Sequence, residues 1–141
     1  MKLNHPDCPE LIQFALHKDL NGALCAYQAQ QHVPFNIRRV FTVTACKDDV
    51  RGKHAHKQCT QLLICVSGRI RTGCDDGQTV TQFTLDDMSV GLLIPPGIWA
   101  EEEYLSDGAV LMVLCDRDYD ADDYIRDYNE FKHTRNDREG R

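Results

Sequence analysis

Five short runs of β-branched and apolar residues, at 39–46, 61–72, 78–85, 91–94 and 109–115, fill the middle of this chain and are separated by turn-forming Asp, Gly and Pro. That rhythm favours an antiparallel sandwich or barrel over alternating β and α units. The clearest turn is Asp76-Gly77, predicted to join Leu62-Leu63-Ile64-Cys65-Val66 and its extension Arg69-Ile70-Arg71 to Thr79-Val80-Thr81-Gln82-Phe83 as a hairpin. On the second of these strands Val80, Gln82 and Thr84 share one face and Thr81 and Phe83 the other, and polarity leaves open which face is core. Pro95-Pro96-Gly97 cannot continue a central strand, because neither proline donates to a ladder, so it marks a sharp loop leading into Trp99. Helix is expected only near the ends.

At 141 residues the chain is long enough for one core and too short for two of ordinary size. One domain is expected over residues 1–131, followed by a polar tail at 132–141 that lacks apolar residues and reads as solvated and disordered. Lys and Arg number 16 against 22 Asp and Glu, a formal charge of −6, and no basic run offers a groove for a nucleic-acid backbone. Nucleic acid is therefore excluded as an expected partner, and any anionic ligand must be met by local arginines. Seven cysteines form an odd set without C-x-x-C spacing, which points to a reducing compartment. Residues 1–7 hold no apolar stretch of the signal-peptide kind and nowhere do 18 apolar residues follow one another, so a soluble cytoplasmic protein without a membrane span is expected.

His54 and His56 carry the most specific chemistry. Alternate side chains of a strand share a face, so the two imidazoles are expected to project together, about 6–7 Å apart along the strand, into one side of a barrel. Imidazole titrates near neutrality and both donates and accepts protons, which favours proton transfer over two solvated surface histidines. Among Arg38, Arg39, Arg51, Arg69 and Arg71, the candidates for anion binding, Arg51 is preferred for its position three residues before His54. Trp99 is either a core plug or an aromatic wall for a sugar or base. Of the acidic run Glu101-Glu102-Glu103, Glu101 is favoured because it follows the proline turn most closely.

The segment from His54 through Gln61 to Gly68 resembles the H-x-H-x4-E-x6-G element of a metal-binding cupin, with Gln61 in place of Glu. Pro96-Gly97-Ile98-Trp99-Ala100 falls where that superfamily has its P-x-G-x-x-H element, with Ala100 in place of the third histidine. A neutral amide is a poor ligand and alanine is none, so two imidazoles remain and no metal is expected.

Within that superfamily, the stretches Pro34 to Phe41, Arg51 to Lys57, Gln61 to Gly68, Gly91 to Trp99 and Asp123-Tyr124-Ile125-Arg126-Asp127-Tyr128 resemble the sugar 3,4-ketoisomerases that act on dTDP-4-keto-6-deoxyglucose. The resemblance runs from about Gly22 to Phe131. It implies an all-β fold, a single cupin barrel (double-stranded β-helix, or jelly roll) with short helical segments near the termini, and a homodimer that needs no metal or other cofactor. It implies isomerisation of a 4-keto dTDP-sugar to the 3-keto isomer through an enediol, with the product passing to a pyridoxal-phosphate aminotransferase that makes 3-amino-3,6-dideoxy sugars for surface glycans. His54 and His56 match the family's catalytic pair. Arg39, Arg51, Gln61, Trp99 and Glu101 are the expected substrate contacts. Asn21 and Ala100 depart from the family pattern at positions flanking the sugar; they are expected to set specificity and leave the C4 configuration of the product open. The alternative is a cupin that binds a sugar nucleotide or carbohydrate without turning it over, and the same two departures favour it.

Overall fold

Leu62-Leu63-Ile64-Cys65 is apolar without a break because its strand is buried on both faces. Leu63 and Cys65 point into the space between two sheets, while Leu62 and Ile64 point the other way, beneath Phe14, Val33 and Phe35. Residues 7–139 are described in this computed structural model. Among them the strands are β1 (Glu10–Gln13), β2 (Leu16–Asp19), β3 (Gly22–Cys25), β4 (Arg39–Thr44), β5 (Val50–His56), β6 (Gln61–Ser67), β7 (Ile70–Asp75), β8 (Val80–Leu85), β9 (Val90–Ile94), β10 (Trp99–Tyr104), β11 (Val110–Cys115) and β12 (Tyr124–Ile125). A 3-10 turn at Ala121–Asp123 and the helix α1 (Tyr128–Glu139) flank β12.

Two five-stranded antiparallel sheets face each other in a jelly roll, ordered β1-β9-β6-β11-β4 and β12-β5-β10-β7-β8, while β2 and β3 pair only with each other. Three apolar clusters follow from this layering. The largest lies between the sheets, one lies outside the first sheet under the N-terminal segment, and one, made of Ala55, Trp99, Ile125 and Phe131, lies outside the second. No helix among the described residues is long and apolar enough to cross a membrane.

Three sequence expectations are corrected. The run 61–72 is two strands in different sheets, because the chain turns at Gly68 with φ of 78° and a Cβ there would meet the Ala109 backbone at 2.8 Å. The Asp76-Gly77 hairpin therefore joins β7 to β8 alone, with Asp75 opposite Val80, and the 62–66 segment belongs elsewhere. On β8 it is Phe83 and Leu85 that turn to the core.

The third correction concerns the tail, since residues 132–139 continue α1. Asp127 Oδ1 caps that helix by accepting from the Glu130 N–H at 2.9 Å. Phe131 is buried, Lys132 donates to the Gly77 carbonyl, and Arg135 donates to the carbonyls of Asp76 (2.7 Å) and Gly97 (3.2 Å). A polar helix is thus anchored by two aromatic residues, Phe131 and Tyr128, the latter packed on Trp99 at 5.3 Å and donating to Asp75 at 2.6 Å, and by charged donors on two turns, a device invisible to hydrophobic periodicity. Residues 1–6 and 140–141 of the expected segments lie outside the described residues.

Candidate active site

The register between β5 and β10 builds the site. Ala100 stands opposite His54 but Glu101 stands opposite Gly52, so Lys53 is an extra residue on β5. This β-bulge is accommodated by positive φ at Gly52 (86°) and Lys53 (59°). Beyond the bulge His54 and His56 lie side by side, ring centroids 5.0 Å apart and planes at 88°. β12 pairs along the same strand with Tyr124 opposite His56, and the tyrosine ring lies 5.0 Å from His54 and 4.4 Å from His56. A cavity of about 200 Å³ opens here, lined on its polar side by Arg51, His54, Gln61, Glu102, Tyr124 and Arg126. Phe41, Leu63 and Val113 of the facing sheet form its apolar wall. A narrower space beside it is bounded by His54, His56, Gln61 and Ala100.

Burial sets the protonation of these groups. His54 is held down at about pKa 4, first by burial and then by the neighbouring His56; the Gly52 carbonyl opposes this weakly, without a hydrogen bond of good geometry to the buried Nδ1. His56 is also lowered by burial, against the opposing pull of Asp123. Asp123 lies 3.0 Å from His56 Nδ1 and also accepts from the backbone N–H groups of Gln58 (2.8 Å) and Cys59 (3.2 Å). Such a bond fixes the ring and places its proton on Nδ1, leaving Nε2, which has no partner, as a lone pair. Glu102 is pushed up to about 8, chiefly by burial and then by Glu101, with Arg51 opposing. A neutral imidazole and a neutral carboxylic acid therefore face one cavity at pH 7.

The donor atoms of His56, Cys59 and Asp123 also lie within 4.8 Å of one another. They do not suit a cation: Asp123 is spent on two N–H groups and the imidazole, and Cys59 stays a thiol whose pKa is raised by its contact with Cys115 and by burial.

His54, His56, Arg51, Gln61 and Ala100 meet around the two spaces. Arg39 stands one residue removed, donating to the Tyr124 hydroxyl at 3.2 Å, with its guanidinium 4.7 Å over Phe41 and 5.2 Å over Tyr119. Trp99 and Glu101 are not brought to the cavity. Strand alternation turns Ala100 and Glu102 inward and Trp99 outward, where it packs on Phe131 at 5.7 Å and donates to Glu101 at 2.9 Å. Asn21 sits exposed at the tip of the β2–β3 hairpin, where its N–H donates to Asp19 at 2.7 Å, and is not among the residues lining the cavity. Sequence reasoning missed Glu102, Asp123, Tyr124 and Arg126. Glu102 was within reach of the alternation rule once Ala100 was placed at the site, since the two are two residues apart.

The family described as FdtA: WxcM-like, C-terminal, matches residues 7–136. The chain is 40% identical over 124 residues to a TDP-4-oxo-6-deoxy-alpha-D-glucose-3,4-oxoisomerase of Aneurinibacillus thermoaerophilus, covering 87% of this chain and 89% of the relative. The fold matches QdtA, a sugar 3,4-ketoisomerase of Thermoanaerobacterium thermosaccharolyticum solved with TDP, at a TM-score of 0.90 and 34% identity over 94% of this chain and 97% of that one. It also matches a 3,4-ketoisomerase from Helicobacter canadensis at a TM-score of 0.88 and 34% identity, over 94% and 99% of the two chains.

The depressed His54 pKa has a consequence for stability. Unfolded histidine titrates near pKa 6.5 while the folded residue titrates at about 4, so between these values the unfolded chain binds more protons and stability falls as pH falls. The full loss is on the order of 3 kcal/mol, absent above about pH 6.5 and complete below about pH 4. His54→Gln is expected to remove this positive contribution from the slope of unfolding free energy against pH in that window, where Glu102, raised to about 8 in the folded chain, contributes with the opposite sign; urea denaturation of the two proteins measures the difference. An unchanged slope would mean that His54 is not held neutral.

Proposed function

The chain belongs to the FdtA (WxcM-like, C-terminal) family, and from that membership we propose that it is a TDP-sugar 3,4-ketoisomerase, moving the carbonyl of a TDP-4-keto-6-deoxyhexose from C4 to C3. The observation that carries the reading is His54 at the wall of a cavity bordered by Arg51 and Arg126, with His56 packed against it and both imidazoles held neutral by burial. The C4 ketone acidifies the neighbouring C3–H. His54, on the cavity, takes that proton, an enediol forms, and return of the proton to C4 leaves the ketone at C3. His56 stands edge-on behind His54 with Nε2 free and is the second seat for the carbon proton. Arg51 and Arg126 at the cavity, backed by Arg39 through Tyr124, meet the pyrophosphate, and Gln61 hydrogen-bonds the sugar. Trp99 and Glu101 support the wall from behind rather than touching substrate.

No metal enters this scheme, because Gln61 and Ala100 occupy the remaining ligand positions of the cupin pattern. All seven cysteines are free, which fits a cytoplasmic enzyme. Its 3-keto product suits a pyridoxal-phosphate aminotransferase making 3-amino-3,6-dideoxy sugars for lipopolysaccharide and related surface glycans. Among the described residues the β2–β3 hairpin pairs with no other strand and exposes Leu20 (104%) and Leu24 (60%), an apolar surface that a second copy in a homodimer would cover. A specificity role for Asn21 requires that its hairpin tip meet the partner's cavity.

Incubation with TDP-4-keto-6-deoxyglucose in D₂O is expected to wash deuterium into C3 and C4 and to yield the 3-keto isomer by NMR, with or without a chelator. Binding of TDP without exchange would mean a binding module, and strict dependence on an added metal would refute the metal-free scheme. His54→Asn is expected to lower turnover by about 10²–10⁴-fold while TDP affinity changes little. Because Ala100 faces His54 across the strand pair, Ala100→His is expected to alter the ratio of C4 epimers or the rate of C4 protonation; identical product and rate would remove Ala100 from specificity. Leu20→Arg with Leu24→Arg is expected to convert the dimer to monomer in sedimentation equilibrium, and an unchanged mass would place the dimer contact elsewhere.

A further inference from the structure

The enediol scheme moves two protons, and the histidine pair accounts for one. While the carbon proton passes from C3 to C4, a hydroxyl proton must leave O3 and another must arrive at O4. We propose that Glu102 is the group that carries this second proton, a buried carboxylic acid that lines the same cavity wall as His54, two residues along β10 from the Ala100 that pairs with it. The inference rests on the ketoisomerase reading and assigns a residue to its other half-reaction.

The backbone makes room for this carboxyl. Glu102 stands opposite Arg51 on β5 and Thr72 on β7, and its side chain crosses directly over Gly52 in the bulge. A Cβ at Gly52 would lie 2.2 Å from Glu102 Oε2 and 3.0 Å from the Ala100 carbonyl, so any other residue at 52 would expel the carboxyl from its seat. The groups around it are Arg51 from β5, Glu101 and Tyr104 from its own strand and Cys74 from β7, with His54, Tyr124 and Arg126 lining the same cavity. Arg51 forms no ion pair with it among the described residues. Burial raises Glu102 to about 8 while His54 falls to about 4, so from pH 4 to pH 8 the cavity holds an acid that keeps its proton and a base that lacks one.

The protons balance. As His54 takes the C3 proton, Glu102 gives its proton to O4, and the C3–H electrons become the C3–C4 double bond of a neutral enediol. Glu102, now a carboxylate, then takes the O3 proton as the imidazolium returns its own to C4, leaving the C3 ketone and both groups in their starting states. No oxidant or reductant is consumed.

The test measures turnover of TDP-4-keto-6-deoxyglucose against pH for the wild type, Glu102→Gln and Glu102→Asp, with TDP affinity and thermal melting on the same samples. Wild-type kcat is expected to fall above about pH 8 as Glu102 ionises. Glutamine keeps the shape and a donor hydrogen but cannot pass a proton, so Glu102→Gln is expected to lower kcat by about 10²–10⁴-fold, leave TDP affinity near wild type and abolish the alkaline limb. Glu102→Asp retains a carboxyl; it is expected to restore part of kcat and keep the limb, and it carries the test if the glutamine variant does not fold. Unchanged kcat or a surviving alkaline limb in Glu102→Gln, or loss of the alkaline limb in a folded Glu102→Asp, overturns this role alone. A wild-type chain that neither isomerises the sugar nor exchanges C3–H overturns the ketoisomerase reading, and this role with it.

Discussion

The pairing of β5 with β10, interrupted by one extra residue, is the constraint on which the site depends. Lys53 has no partner on β10, and the positive φ at Gly52 and Lys53 lets the strand absorb it. That bulge changes the phase of β5 relative to β10, setting His54 against Ala100 beyond it while Arg51 stays opposite Glu102 before it. The histidines are locked at the far end, where the Gly97 N–H donates to the His56 carbonyl at 2.7 Å. One register therefore positions the imidazole pair, the buried acid and the small residue between them. A regular ladder from 50 to 56 would flip one group of these side chains to the other face of the sheet.

The same burial that shapes the cavity separates its pKa values. Removing an imidazole from water disfavours its cation, and removing a carboxyl disfavours its anion, so one enclosure moves His54 down and Glu102 up, with His56 and Glu101 adding to the two shifts as like-charged neighbours. Asp123 does the opposite for His56, offsetting part of the desolvation and fixing the tautomer. The two histidines are consequently different groups despite their symmetrical spacing: one is open to the cavity, the other is tethered to β12's lead-in turn. Tyr124 touches both rings and receives Arg39, which ties the charge outside the cavity to the chemistry within it.

Much of this was legible in the sequence where a local rule sufficed. The apolar runs became strands because each has somewhere to bury, and His54 and His56 share a face as any i, i+2 pair on a strand does. What escaped depended on contacts distant in sequence. The break at Gly68 follows from the closeness of Ala109, and helix α1 stands on bonds to the turns at 76–77 and 97. Trp99 could have been plug or wall until Phe131, 32 positions later, packed against it on the outer face. Glu101 lies nearer the proline turn, but alternation from Ala100 turns Glu102 inward, and alternation is the physically stronger constraint.

The positions where a metal-binding cupin spends its ligands explain why a proton-transfer site fits this barrel. With Ala100 offering no donor and Gln61 Nε2 directed at the Cys115 sulfur 3.6 Å away, neither residue competes for the imidazoles. His56 is then free to bond Asp123 through Nδ1, and His54 is free to remain an unprotonated ring at the cavity wall. A divalent ion among these groups would hold both imidazoles as ligands and would draw Glu102 toward ionisation, removing together the base and the acid of the proposed scheme. Having an amide and a methyl group at these two positions thus does more than withhold ligands from a cation. It allows the enclosure itself, through desolvation, to set the protonation states that the isomerisation requires.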